Sequence, residues 1–482
     1  MSELASPLPH GVTRVTLSNG LLVLLKEIHT APIISHWVWY RVGSRNERPG
    51  QTGISHWVEH MQFKGTPQFP AGVLDRAISR LGGFWNAFTY LDWTTYLETL
   101  PAEHIDLALR LEADRMAGSL FNPGEVDSER SVIISERQGS ENEPTFRLTE
   151  EVQAAAFRVH SYHHEIIGDL ADLQSITRDE LYQHYRTYYA PNNAVLALAG
   201  DFDTPSMLER IRQLYEPIAA AALPQLRLRH EPPQPGERRV TVEGAEDITF
   251  LQVAYHAPAA ADPDFIPMLA LDSLLCGPAN LNMFSEGLSN KTSRLYKALV
   301  ESGMVVSLSG GMNATIDPYL YSIDVTLRPD RQAGEVLDAL DGEIARLQDE
   351  LLDPAELSRA VKQARALFAY GSERITNQAF WLGFSEMFAG YDWYLTYLDH
   401  LAQVTPLDVQ RVARAYLRPG NRVVGVYRPA GQAAEDTAAE DTAAEDTAAE
   451  DTVLDGPQDD AGLLDEDPFA ENEWIEGDIN AG

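Results

Sequence analysis

Cysteine is almost absent from this 482-residue chain, in which Cys276 is the only one. A single thiol forms no internal disulfide, which excludes a disulfide-stapled secreted scaffold and fits a reducing compartment. No run of 18 apolar residues is available to span a membrane. The opening MSELASPLPHG has neither the basic start nor the apolar stretch of a signal peptide. Together these absences lead to the expectation of a cytoplasmic protein with no membrane partner. Bases are outnumbered, 37 Lys and Arg against 72 Asp and Glu, for a formal net charge of −35. Nucleic-acid binding relies on clustered cations that neutralise phosphates, so no nucleic-acid partner is expected.

The acids are unevenly spread. Residues 431–482 hold 18 acids and no base, which leaves −17 for residues 1–430. Within this tail AAEDT occurs four times in succession, from Ala433 to Thr452. Like-charge repulsion and scarce apolar surface predict a disordered spacer. The sharper alternative makes Phe469 and Trp474 the anchors of a short partner-binding motif.

The body reads as two related halves. Thr177, Glu180, Tyr188, Pro191 and Asn193 recur 228 positions later as Thr405, Asp408, Tyr416, Pro419 and Asn421. Each set describes a capped helix start, a helix ending near tyrosine, a Pro/Asn turn and an apolar strand. Upstream, NPGE (Asn122 to Glu125) and DPAE (Asp353 to Glu356) each place an Asn/Asp cap and a first-turn proline before a long helical pattern. Two matches in the same order indicate a duplicated unit of roughly 200 residues. The expected organisation is a catalytic domain over 1–230, a Pro-rich linker over 231–238, a homologous non-catalytic domain over 239–430, and the tail over 431–482.

Apolar alternation predicts strands over 12–17, 21–26, 33–42, 83–89 and 94–99, and a one-faced apolar helix over 102–118. Asn19-Gly20 is a hairpin signal that favours antiparallel pairing. The fold class that follows is α+β: two sandwich domains, each a mostly antiparallel sheet covered by helices.

The chemistry concentrates in the first half. In GISHWVEHMQFKGT, His56 and His60 stand four residues apart on one helical face, so that two imidazoles can bind one zinc ion, and Glu59 lies near that face. A carboxylate there can take a proton from an activated water and return it to a leaving amine. The order H-x-x-E-H is the inverse of the commoner zinc-peptidase helix. The bland alternative is an amphipathic helix with packed histidines. A catalytic zinc site usually needs a third protein ligand, and SERSVIISERQ supplies two acids, Glu129 and Glu136, two turns apart on one face. In the duplicated half these positions are Ala360 and Leu367, and no H-x-x-E-H occurs there.

These residues resemble the inverted-zincin metallopeptidases of the insulinase, pitrilysin and mitochondrial-processing-peptidase family. The resemblance covers nearly all of residues 12–430. It runs through TLSNGLLVLL, VGSRNE, GISHWVEHMQFKGT, LGGFWNAFTYLDWTTY, ERSVIISE, IIGDLADLQSIT and YYAPNNAVLALAGDF, with NKTSRLYKALVESG in the second half. It implies that His56, His60 and Glu136 bind one zinc ion per chain, that Glu59 is the general base, and that Glu129 orients the site through a ligand. It further implies that Asn86 and Ala87 contact the substrate backbone, that an extended peptide adds to a sheet edge, and that two duplicated units face each other around a chamber.

One departure bears on assembly. Short members of the family carry an arginine and a tyrosine in the second half that help bind substrate. Arg294 matches the arginine, but the tyrosine position reads Gly303-Met304-Val305-Val306, with no tyrosine before Tyr319. The expectation is a heterodimer, in which a homologous subunit supplies the Arg/Tyr pair, with a homodimer as the other arrangement. The favoured function is a zinc endopeptidase subunit acting on peptides or unfolded polypeptides. The alternatives are a non-catalytic core or scaffold subunit and a peptide-binding module that retains zinc.

Overall fold

A computed structural model describes residues 6–8, 11–225, 229–282 and 290–430. The acidic tail, with its repeats, Phe469 and Trp474, lies outside the described residues. Among the described residues the strands are β1 (Ser6–Leu8), β2 (Val12–Thr16), β3 (Leu22–Glu27), β4 (Ile33–Tyr40), β5 (Phe84–Thr89), β6 (Thr94–Pro101), β7 (Ala194–Gly200), β8 (Arg238–Gly244), β9 (Phe250–Ala257), β10 (Val305–Met312), β11 (Tyr319–Leu327) and β12 (Arg422–Pro429). They form a seven-stranded sheet in the order β1-β2-β3-β7-β4-β6-β5 and a five-stranded sheet in the order β10-β11-β9-β12-β8. Pairing is antiparallel except for β3 with β7 and β12 with β8. The fold class is the α+β arrangement expected, two largely antiparallel sheets covered by helices. No helix among the described residues is long and apolar enough to cross a membrane.

Local chemistry accounts for the elements. Asn19-Gly20 makes the β2–β3 turn: Gly20 takes a φ of +91°, and the Asn19 carboxamide accepts from the Leu21 N–H at 3.2 Å. The 102–118 pattern opens as a 3-10 turn over Ala102–His104 and continues as the helix Ile105–Gly118. The recurring Thr-x-x-acid signals are both capping boxes. Thr177 pairs with Glu180 and Thr405 with Asp408. Asn193 donates to the carbonyls of Arg41 and Tyr188, and Asn421 to those of His256 and Tyr416. The same side chain thus ties the same turn to the same strand neighbour in both halves.

The sequence pattern does not show which sheet each helix covers. Helix Pro144–Ala156, from the first half, packs on β12, β8 and β9 of the second sheet, while helix Ile375–Phe388, from the second half, packs on β4 and β7 of the first. Both contacts are made close by a glycine. A Cβ on Gly383 would sit 2.1 Å from the Trp39 indole nitrogen, and one on Gly425 would sit 2.3 Å from Val152. Trp37 and Trp39 stack with centroids 5.4 Å apart and meet Phe380 edge-on at 5.6 and 5.5 Å. One apolar core therefore runs through residues of both sheets, and residues 1–430 form a single compact unit.

Candidate metal centre

The motif helix is Ile54–Met61. Ile54, Trp57, Val58 and Met61 are buried in the first-half core, and this turns His56 and His60 toward a cavity. Its start is unusual, because Gly53 at the N-cap has a φ of +82° and no capping side chain of its own. The Glu47 carboxylate does the capping, accepting from the N–H groups of Gly53 and Ser55 at 2.8 Å each. Burial nevertheless pushes Glu47 up to about 8, outweighing those hydrogen bonds. A Cβ at Gly53 would lie 2.3 Å from the Ile167 carbonyl, and one at Gly168 2.4 Å from the Gly53 nitrogen. This close approach of two glycines brings the 165–167 backbone beside the histidines.

The acid helix is Pro123–Glu141, buried through Val126, Glu129, Ile133 and Arg137. Arg130 lies 4.6 Å over the Trp57 ring and donates to the Ile176 carbonyl at 2.7 Å, which fixes the acid helix against the motif helix. Glu129 and Glu136 then address opposite sides of one imidazole. Glu129 Oε1 is 2.8 Å from His60 Nδ1, and Glu136 Oε2 is 3.7 Å from His60 Nε2. A carboxylate on Nδ1 makes that atom the N–H donor, leaving the Nε2 lone pair for a cation. Lys64 pairs with the other Glu129 oxygen.

Ligand atoms of His56, His60 and Glu136 all lie within 4.8 Å of one another, with His56 Nε2 3.9 Å from Glu136 Oε1. One cation can reach all three donors, and two imidazole nitrogens with a carboxylate oxygen are a donor set that zinc takes. Burial, then the neighbouring His60, lowers His56 to about 3, so His56 is neutral and its lone pair is free at neutral pH. Burial pulls His60 down, but the Glu129 hydrogen bond and the charges of Glu59 and Glu136 outweigh it, and the net shift is upward. Glu59 is 7% exposed, and burial raises it to about 7 against a 2.7 Å hydrogen bond from Thr89 Oγ1.

The cavity is about 440 Å³ and is lined by His56, Glu59, His60, Ala87, Phe88, Thr89, Glu136, Ser140, Phe146 and residues 165–167. Of the residues singled out in the sequence, the structure brings His56, Glu59, His60, Glu136 and Ala87 to it, with Glu129 behind His60. Asn86 does not line it, and its carboxamide oxygen accepts from the Ala87 N–H at 2.8 Å. Both sit on β5, which among the described residues is an edge strand paired on one side only, with β6. Arg294 is also absent from the lining, and its guanidinium is engaged by both Glu356 oxygens at 2.8 and 2.7 Å. Val306 is 58% exposed at an irregularity in the register of the edge strand β10.

Sequence reasoning missed Lys64, Thr89, Phe146 and Glu165. Thr89 shares the strand face of Ala87, so the strand period was available as a signal, whereas Lys64 lies beyond the end of the motif helix at Met61. Glu165, which burial raises to about 7, has no local signal, because only the Gly53–Gly168 approach brings it in. In the second half Ala360 and Leu367 are each 3% exposed. The positions that carry acids in the first half are core there.

The fold is thus an α+β arrangement of two helix-covered sheets, with a His–His–Glu cluster able to hold a metal ion beside a buried glutamate. A sequence profile described as insulinase (peptidase family M16) matches residues 22–170, and one described as peptidase M16 inactive domain matches residues 175–364. The chain is 28% identical over 418 residues to an uncharacterized zinc protease of Streptomyces coelicolor, covering 86% of this chain and 89% of that one. It is 28% identical over 274 residues to a probable mitochondrial-processing peptidase subunit beta of Arabidopsis thaliana, covering 56% of this chain and 51% of that one. The crystal structure of a protease from Helicobacter pylori superposes with a TM-score of 0.81 at 26% identity, covering 87% of this chain and 99% of that one. The chain belongs to the insulinase family of peptidases, family M16.

Proposed function

We propose that this chain is the zinc-bearing catalytic subunit of an endopeptidase acting on peptides or unfolded polypeptides, with catalysis in the first 230 residues. The observation that carries the reading is the convergence of His56, His60 and Glu136 within 4.8 Å beside Glu59 in one cavity. His56, His60 and Glu136 hold the metal. When bound, zinc supplies Lewis acidity, polarising a carbonyl and making a water a stronger acid.

The chain's own groups do the rest. Glu59, buried and poised near 7, takes the proton of the attacking water and delivers it to the leaving amine. Thr89 fixes one Glu59 oxygen, leaving the other free to exchange the proton. Glu129 holds His60 in one tautomer, and Lys64 holds Glu129. The free edge of β5 pairs with the backbone of an extended substrate, with Asn86 and Ala87 alongside, which makes sequence preference broad.

A second, homologous chain completes the enzyme. Val306 occupies the position of the family tyrosine, and Arg294 is committed to Glu356, so this chain brings the metal and a partner brings the Arg/Tyr pair. The test of the chemistry is Glu59→Gln. The variant retains one zinc per chain and loses cleavage of an unfolded polypeptide by about 10²–10⁴-fold. Unchanged cleavage with zinc retained would refute Glu59 as the base. Full turnover by the purified chain alone would refute the heterodimer.

A further inference from the structure

A second cavity, of about 480 Å³, shares no lining residue with the cavity of the metal centre. Its wall carries Arg45, Arg48, Arg158, Arg229 and His163. The four arginines are a concentration of cations in a body whose net charge is −17.

The acids around this cavity are already committed. Asp317 pairs with Arg45 at 2.6 Å and with His160 at 3.1 Å, and Asp92 lies 3.6 Å from Arg45. Glu47 caps the motif helix. Glu231 accepts from the backbone N–H groups of Arg158, Val159 and His160 at 2.9, 2.9 and 3.1 Å. Arg48, Arg158 and Arg229 have no carboxylate within 4.0 Å among the described residues. His163 Nδ1 is buried without a protein hydrogen-bond partner. Three guanidinium groups facing one cavity repel each other, and each presents a planar fork of donors that matches an oxyanion edge.

We propose that this cavity is a binding site for a small polyvalent oxyanion, of phosphate or polycarboxylate type, held by Arg48, Arg158 and Arg229. The proposal is independent of the peptidase reading, because none of these residues takes part in the metal site. Ligands of this size fit the volume, and the charge-assisted hydrogen bonds they accept there are stronger than neutral ones.

The test is calorimetric titration of the zinc-loaded full chain at low ionic strength with inorganic phosphate in one arm and tricarballylate in the other. A saturable, salt-sensitive one-site isotherm is expected in at least one arm, and which arm it is distinguishes the two anion types. In Arg48→Ala/Arg158→Ala the affinity falls at least about tenfold, the loss of one good charge-assisted contact. Both side chains are exposed, so the variant keeps its fold, which circular dichroism and an unchanged zinc content verify. Arg48→Lys, which keeps the charge and loses the fork, gives an intermediate affinity. No saturable binding in either arm, or binding that survives the double substitution, would overturn the proposal.

Discussion

Glu129→Gln is the most discriminating change at the metal centre, because it removes one charge and almost no volume. Glu129 is 4% exposed, accepts from His60 Nδ1 at 2.8 Å and is paired with Lys64. Burial works against its ionised form, but the hydrogen bond from His60 and the Lys64 ammonium outweigh it and hold the carboxyl below its usual value. A neutral amide either accepts the His60 proton more weakly or rotates and turns an NH₂ toward the ring, which favours the tautomer that cannot bind metal through Nε2. Losses of this kind weaken metal affinity by about 10–100-fold, or about 1.4–2.7 kcal/mol. The assay is competition for zinc against a chromophoric chelator, with His60→Ala as the variant that loses the site. Lys64→Met leaves Glu129 in place and is expected to give a smaller loss in the same direction, about 3–10-fold. Zinc retention in Glu129→Gln equal to that of the unchanged chain would refute the argument that Glu129 fixes the His60 tautomer.

Two stability predictions concern the second half. Asp272 is buried beside Cys276 and Tyr321, and burial raises it from 3.8 to about 7. A raised carboxyl stabilises the fold below the unfolded value of 3.8, and that contribution is lost as the pH climbs through about 7. Asp272→Asn removes this loss and is expected to gain about 2–4 kcal/mol relative to the unchanged chain on going from about pH 5 to about pH 9. Urea midpoints at the two pH values measure it, and an identical difference between the proteins at both would contradict it. Gly425→Val drives side-chain atoms into Val152 and Leu148, where even a Cβ would stand 2.3 and 2.9 Å away. About 1–3 kcal/mol of destabilisation follows, read as a lowered thermal midpoint, and an unchanged midpoint would show that the helix yields freely.

What was legible in the sequence follows the range of the interaction. His56, Glu59 and His60 share two turns of one helix, and Glu129 and Glu136 share two turns of another, so fixed helical periods reveal both sets. The Asn19-Gly20 turn, the paired capping boxes and the first-half strands are local in the same way. Phe146 reaches the cavity only through the docking of Pro144–Ala156, and no window of sequence carries that information. Amphipathic periodicity shows that a helix has an apolar face and not which sheet covers it, so the exchange of Pro144–Ala156 and Ile375–Phe388 was invisible. Arg294 marks the opposite limit. Its motif match was local and clear, while its partner Glu356, 62 positions on at the start of the DPAE helix, was not foreseeable.

The helix exchange gives the second half a role at the first half's site although it carries none of the acids or histidines. Phe146 forms part of the wall of the cavity that His56, His60 and Glu136 line, and lies 5.1 Å from the Arg137 guanidinium of the acid helix. Leu148 and Val152, on the same helix, belong to a core with Val242, Ala254, Leu320, Val423 and Tyr427 of the second sheet. Glu150 ties this helix back to Arg137 at 2.6 Å. This part of the cavity wall is thus a first-half segment held in place by second-half apolar surface. A second half with Ala360 and Leu367 where the first has Glu129 and Glu136 remains under constraint wherever it grips Pro144–Ala156, because a shift of that helix moves Phe146 against the cavity while leaving His56, His60 and Glu136 where they are.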